Sequence, residues 1–111
     1  MNCFQKIKDM FDGLNIPSYP NVYTKNDLKK WATYNLSDRE PVAFSDDDNA
    51  EYVNYVQVHV FLPINENPFS LMKTVTNGLK DAGFTPPDTM LELEEDQKLQ
   101  HMVFSCSIVE E

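Results

Sequence analysis

The sequence is poor in the residues that build most catalytic and metal sites. Its 111 residues include two cysteines, two histidines and three glycines. The only imidazole bases are His59 and His101, and no nucleophile-elbow sequence surrounds any serine. The cysteines and histidines lack zinc-type spacing, and no glycines form a phosphate-cradling loop. We therefore expect a protein that is not an enzyme and that uses no metal or cofactor.

Basic residues are also scarce. Nine lysines and arginines stand against eighteen aspartates and glutamates, which gives a formal charge of −9. Because a protein that grips nucleic acid needs a basic surface, this balance argues against specific DNA or RNA binding. It is compatible with an acidic wall past which DNA slides without adhesion, and equally with a charge that serves only solubility. Adjacent acids such as Glu92 and Glu94 are typical of solvated surface rather than of a glycosidase pair.

Long apolar runs are absent as well. A helix that crosses a bilayer needs about 20 apolar residues, and the sequence has no such run. The N-terminus lacks the charged-then-apolar pattern of a signal peptide, so we expect synthesis and folding in a cytoplasm. In that setting Cys3 and Cys106 are expected to stay reduced and to act as small buried hydrophobic residues.

Apolar residues nevertheless make up 41% of the chain, enough for one hydrophobic core. We expect a single domain over residues 1–111. Two segments, 2–13 and 68–82, have the apolar spacing of amphipathic helices. The expected end signals are Asn2 and Gly13 for the first helix, and Asn67, Pro68 and Gly83 for the second.

Period-two alternation predicts the strands. The clearest strand runs from Tyr52 to Leu62, and it places alternate apolar side chains from Val56 onward on one face. The other expected strands are 21–24, 31–36, 41–44, 90–94 and 99–109, with turns at 37–40, 86–88 and 95–98 and an exposed loop at 45–51. This order predicts an α+β fold in which a mainly antiparallel sheet carries two helices on one face.

Two surface features are candidates for contact with other molecules. Asp46, Asp47 and Asp48 resemble the start of a calcium loop, but the glycine and the final carboxylate of an EF-hand are missing. Trp31 and Tyr34 belong to a group of amphipathic aromatic residues of the types enriched at protein interfaces. Core and rim packing in a small domain would explain these aromatic residues equally well, so both interpretations stay open.

Three segments resemble the small tail-completion, or tail-terminator, proteins of long-tailed bacteriophages and prophages of Gram-positive bacteria. The first is the Trp31–Asn35 strand leading to 41–44, and the second is the acidic loop followed by the Tyr55–Phe61 strand. The third is Leu79–Phe84, followed after an acidic hairpin by Gln100–Cys106. The likeness covers approximately residues 15–109 and contains no catalytic signature.

This resemblance implies a structural virion subunit that assembles in the host cytoplasm and ends in the virion tail. Copies would form a ring, commonly a hexamer, which caps the tail tube and offers a docking surface to the head-connector or neck protein. The implied partners are thus further copies of the chain, the tail-tube protein and the neck protein, with no membrane. The candidate channel-facing or partner-contact residues are Asp46, Asp47, Asp48, Trp31 and Tyr34.

Two other functions stay open. A head-completion or neck protein shares the small size and the acidity, but its loss should give leaking heads instead of overlong tails. An acidic inhibitor or regulatory binding domain that mimics nucleic acid needs negative charge ordered over one broad face. Here the charge is split among loops and the C-terminus, which argues against mimicry.

Overall fold

A computed structural model describes residues 1–23, 29–42 and 51–110 of the protein. The elements are α1 (Cys3–Gly13), β1 (Ser18–Pro20), β2 (Trp31–Val42), β3 (Glu51–Pro63), α2 (Phe69–Asp81), β4 (Asp88–Glu94) and β5 (Leu99–Val109). The five strands form one sheet in the order β1-β2-β3-β5-β4. Only β1 runs parallel to its neighbour; the other described pairs are antiparallel. The structure confirms the predicted α+β fold.

The core lies between the two helices and one face of the sheet. The strand face predicted from period-two alternation, Val56, Val58, Val60 and Leu62, is buried throughout. The helices bury Ile7, Phe11, Val75 and Leu79. Because all of these residues belong to one hydrophobic cluster, both helices cover the same face. The opposite face, called here the open face, carries no helix among the described residues.

Helix α1 begins as the sequence predicts and ends differently. The Asn2 side chain accepts the Gln5 backbone N–H, and the Gln5 side chain accepts the Asn2 backbone N–H, both at 2.9 Å. The prediction of Gly13 as the exit residue is wrong, because Asn15 takes the left-handed conformation with φ of 58°. The Ile16 N–H then returns to the Phe11 carbonyl at 3.0 Å, which closes the helix end.

Helix α2 ends at the predicted glycine. Gly83 has φ of 102°, and the Phe84 N–H returns to the Leu79 carbonyl at 3.0 Å. At the other end the boundary is shifted by one residue, since Pro68 occupies the N-cap position itself. Asn67 still caps the helix, because its Oδ1 accepts the Phe69 N–H at 3.0 Å.

Two strand predictions early in the chain are wrong. The first strand is Ser18–Pro20 instead of 21–24, since Asn21, with φ of 67°, turns the chain directly after Pro20. The predicted strands 31–36 and 41–44 are one strand through Val42, with a bulge between Leu36 and Asp38 in place of a turn. Residues 43–50 lie outside the described part of the chain. Strand β4 begins at Asp88, two residues before its predicted start.

Candidate functional site

The sequence-predicted contact residues fall in three different environments. Asp46, Asp47 and Asp48 lie outside the described residues, so their channel-facing role stays a prediction. Trp31 is half-buried on the open face at the start of β2. Tyr34 is only 3% exposed and meets the Phe4 ring edge-on at 4.9 Å. Tyr34 is therefore a core residue, and its side chain has little surface to offer a partner.

Trp31 belongs to a row of ring contacts that crosses the open face, called here the aromatic ladder. Sheet register places Trp31 opposite Phe61 and Phe61 opposite His101. The ring centroids are 4.8 Å apart in the first pair and 4.3 Å in the second, and both pairs are stacked. Tyr23 extends the row beyond Trp31 at 5.6 Å, and Tyr19 stacks on Tyr23 at 4.6 Å. These half-buried rings pack on one another, so much of their surface is already covered within the chain.

Two histidines meet beside the ladder. His59 Nδ1 and His101 Nε2 are 2.7 Å apart, and His59 Nε2 lies 3.1 Å from Asn35 Oδ1. An amide oxygen accepts, so His59 donates from Nε2, and its Nδ1 accepts from His101 Nε2–H. On its other side, His101 Nδ1 lies 3.3 Å from Glu94 Oε1 and 4.0 Å from Glu92 Oε2. The contacts of the His59 ring are satisfied when His59 is neutral with its proton on Nε2. His101 Nδ1 is buried and makes no hydrogen bond with any described residue.

Burial lowers the pKa of His59 below its usual 6.5, and the nearby His101 adds to the effect. Glu92 acts in the opposite direction. The polar contacts of the His59 ring are an amide oxygen and a second imidazole, so no serine hydroxyl or cysteine thiol lies at either nitrogen in the described part of the chain. The pair therefore does not form a Ser–His or Cys–His unit of the kind that activates a nucleophile.

The two cysteines behave as the sequence predicts. Both thiols are free, with Cys106 buried and Cys3 half-buried. Burial raises the pKa of Cys106 to about 12, and the neighbouring Cys3 adds to the shift. A thiol in this state stays protonated and packs as a small hydrophobic side chain.

Two further kinds of site are absent from the described residues. In residues 1–23, 29–42 and 51–110, no group of three or more His, Cys, Asp or Glu side chains is arranged so that it could hold a metal ion. Within the same ranges, no helix is long and apolar enough to span a membrane.

The outer strand of the sheet, β4, exposes several large apolar side chains. Met90, Leu91 and Leu93 are exposed by 59, 42 and 59%, and we call them the β4 edge surface. Register places Met90 on the open face, whereas Leu91 and Leu93 point to the helix side, beyond the cover of the helices. The sequence analysis predicted this strand but did not single out its surface. The signal was present, because adjacent Met90 and Leu91 put apolar side chains on both faces of one strand.

Comparison with known proteins shows that the fold is similar to that of a solved structure. No family model and no curated protein matches the sequence. Among solved structures, the fold is similar to that of a chain in the virion of a native gene transfer agent particle, with a TM-score of 0.58. The similarity covers 97% of this chain and 91% of that chain, at 13% sequence identity. Identity this low establishes a shared fold and leaves function to be argued separately.

Proposed function

We propose that the protein is a non-enzymatic structural subunit of a virion, and specifically a tail terminator. In this role a ring of copies caps the tail tube and offers a surface to the neck protein. The observation that carries the proposal is the shared fold, which spans nearly the whole of this chain and of a virion component. Because the similarity covers nearly all of both chains, it extends over the whole fold and is not limited to a common substructure.

The surface of the molecule supports a role in assembly. Strand β4 is exposed along almost its whole length and carries the apolar β4 edge surface. The acidic side chains of β4 discourage unspecific pairing at this edge, but exposed apolar side chains grouped on one strand are typical of a surface that contacts another protein. A ring subunit needs contact surfaces of this kind, since a domain of this size cannot enclose a channel alone.

The residues predicted from the sequence to contact DNA or a partner have different roles in this proposal. Asp46, Asp47 and Asp48 are proposed to face the channel, where negative charge would let DNA pass without adhesion. Replacing all three with asparagine should leave particle assembly normal and lower infectivity. Normal infectivity of that variant would end the channel assignment. Trp31 is proposed to touch a partner through the part of its ring that the ladder leaves uncovered.

The test of the proposed function is a nonsense mutation in the gene, made in the genome that encodes the protein. Electron microscopy of the lysate should then show overlong tails without heads, and wild-type protein supplied in trans should restore normal particles. Leaking heads together with tails of normal length would instead indicate a neck or head-completion protein, which has the same fold support. Normal, infectious particles would show that the chain is not an essential virion subunit.

A further inference from the structure

We propose that copies of this chain associate head to tail, with the β4 edge surface of one copy docked on the outer face of α2 in a second copy. The inference rests on the proposed function, because it names the two surfaces through which a ring of this subunit would close.

The first surface is a sheet edge that no further described strand covers. Strand β4 is last in the strand order, so the backbone N–H and C=O groups on its outer side have no strand partner among the described residues. The β4 edge surface exposes three large apolar side chains along this edge. Exposed apolar side chains beside free backbone groups are the usual features of a strand that contacts another chain.

The simplest partner for strand β4 would be strand β4 of a second copy, but the charge of the strand argues against that pairing. The hairpin that joins β4 to β5 carries a concentration of acids with a single base, Lys98. Glu92 and Glu94 lie at the end of β4 itself, and Glu95 and Asp96 lie in the turn that follows. Pairing β4 with β4 about a two-fold axis would be antiparallel and would place the acids on one face of the strand, Asp88, Glu92 and Glu94, opposite those of the second copy. Like charges opposite each other destabilise a strand pair. The occupant must therefore be a different surface, one that is apolar and basic.

The outer face of α2 meets both requirements. Phe69, Lys73, Asn77 and Lys80 recur at helical spacing on this face, and all four are exposed. Phe69 is 71% exposed, which is the largest exposed fraction of any large hydrophobic residue in the described part of the chain. Neither Lys73 nor Lys80 has an ion-pair partner among the described residues. This face therefore offers an aromatic ring for Leu91 and Leu93 and two cations for the hairpin acids.

The two surfaces occupy different parts of one molecule, the sheet edge and the helix layer. When the contact joins two different surfaces, each pair of copies still has one unused β4 edge surface and one unused α2 face. Further copies can therefore bind at these surfaces until the assembly closes into a ring. Head-to-tail contact is thus the geometry that builds a ring, whereas edge-to-edge pairing would stop at a dimer.

Association is measured by sedimentation velocity and native mass spectrometry over a concentration series, for the protein alone and on purified tail tubes. Leu91→Lys combined with Leu93→Lys should raise the dissociation constant by about tenfold or more, because the lysines cannot be buried against Phe69. Val22→Lys is the matched control, since Val22 is 65% exposed and lies close to the opposite sheet edge. It should change the constant by less than about twofold. Circular dichroism of every variant verifies that it is folded.

Charge reversal tests the pairing itself. Lys73→Glu with Lys80→Glu should weaken association, and so should Glu95→Lys with Asp96→Lys. The protein that combines all four substitutions should recover most of the wild-type affinity, because the opposite charges face each other again. If association of the wild type survives the Leu91 and Leu93 changes, or if the combined variant fails to recover, this interface is overturned while the proposed function stands. If the wild-type protein associates neither alone nor on tubes, the proposed function itself fails.

Discussion

His59 of β3 and His101 of β5 meet diagonally across the two strands, with 2.7 Å between Nδ1 of the first and Nε2 of the second. Both rings are half-buried, and one proton lies between them. Asn35 fixes the far nitrogen of His59, while Glu92 and Glu94 of β4 approach the far nitrogen of His101. The polar contacts of the pair thus reach four strands, β2, β3, β5 and β4, and favour a neutral His59.

The first prediction concerns pH. The pKa of His59 is lowered on folding, so the unfolded chain binds a proton that the folded protein resists. As pH falls below about 6.5, the usual histidine value, the free energy of unfolding should therefore decrease. Urea unfolding of the wild type and of His59→Gln over a pH series measures this. The substitution should flatten the slope below pH 6.5, and identical slopes would show that His59 titrates normally. In His101→Gln the pKa of His59, followed by NMR, should move up towards its usual value.

The second prediction compares one substitution at two leucines. Leu79 is fully buried in α2, whereas Leu93 is 59% exposed on β4. Leu79→Ala should lower the free energy of unfolding by about 2–5 kcal/mol, because it opens a cavity in the core. Leu93→Ala should change it by less than about 0.5 kcal/mol. Urea unfolding at a concentration where the protein is monomeric makes the comparison. A large loss at Leu93 would mean that β4 is a folding element and not a free contact surface.

The third prediction concerns the two helix ends, which use the same hydrogen-bond pattern with different residues. Asn15 and Gly83 both have positive φ, and only glycine adopts that conformation without steric cost. Asn15→Gly should therefore stabilise the protein by up to about 1 kcal/mol, and Gly83→Ala should destabilise it by about 1 kcal/mol or more. Thermal unfolding of both variants is the measurement. Effects of the same sign would contradict this account.

The fourth prediction concerns the contact between the two helices. A Cβ atom added at Gly78 would lie 2.7 Å from Sδ and 2.9 Å from Cγ of Met10, too close for either. Replacing glycine with alanine inside a helix normally raises the free energy of unfolding by roughly 1 kcal/mol. In Gly78→Ala the clash with Met10 should cancel this gain. In a Met10→Ala background the same change should be stabilising, because the space is then empty. A double-mutant cycle of unfolding free energies tests this, and additive effects would show that the two residues are not coupled.

Local patterns in the sequence were sufficient for the helices and for strands β3 and β5. Each of these elements has a regular apolar period and an end signal within its own segment, such as Asn2 or Gly83. Strand β1 and the bulge in β2 were not predictable in that way. The bulged strand continues because a long neighbour supports it, and the Ser37 hydroxyl donates to the Tyr55 carbonyl at 3.0 Å across the irregularity. Polar residues that indicate a turn in isolation are held extended by a strand that follows later in the chain.

The candidate site was predictable only in part for the same reason. Trp31 was selected by residue type, and it does lie on the open face. The meeting of His59 with His101 depends on the register of two strands that have helix α2 and strand β4 between them in the chain, and no local spacing reveals that register. Tyr34 was also selected by residue type, but it packs in the core. Residue type alone does not distinguish an aromatic ring at an interface from one in the core.

Gln100 ties the sheet to the start of the second helix. Its buried amide nitrogen donates to the carbonyls of Pro63, Ile64 and Glu66, at 3.0, 3.3 and 2.6 Å. One side chain of β5 thus anchors the segment that leads into α2, and β5 also holds β4 as its neighbour. The spacing between Phe69 and the outer strand therefore depends on this amide, in the residue that pairs with Leu93. A change at Gln100 would misalign the subunit as a building block while leaving every exposed residue as it was.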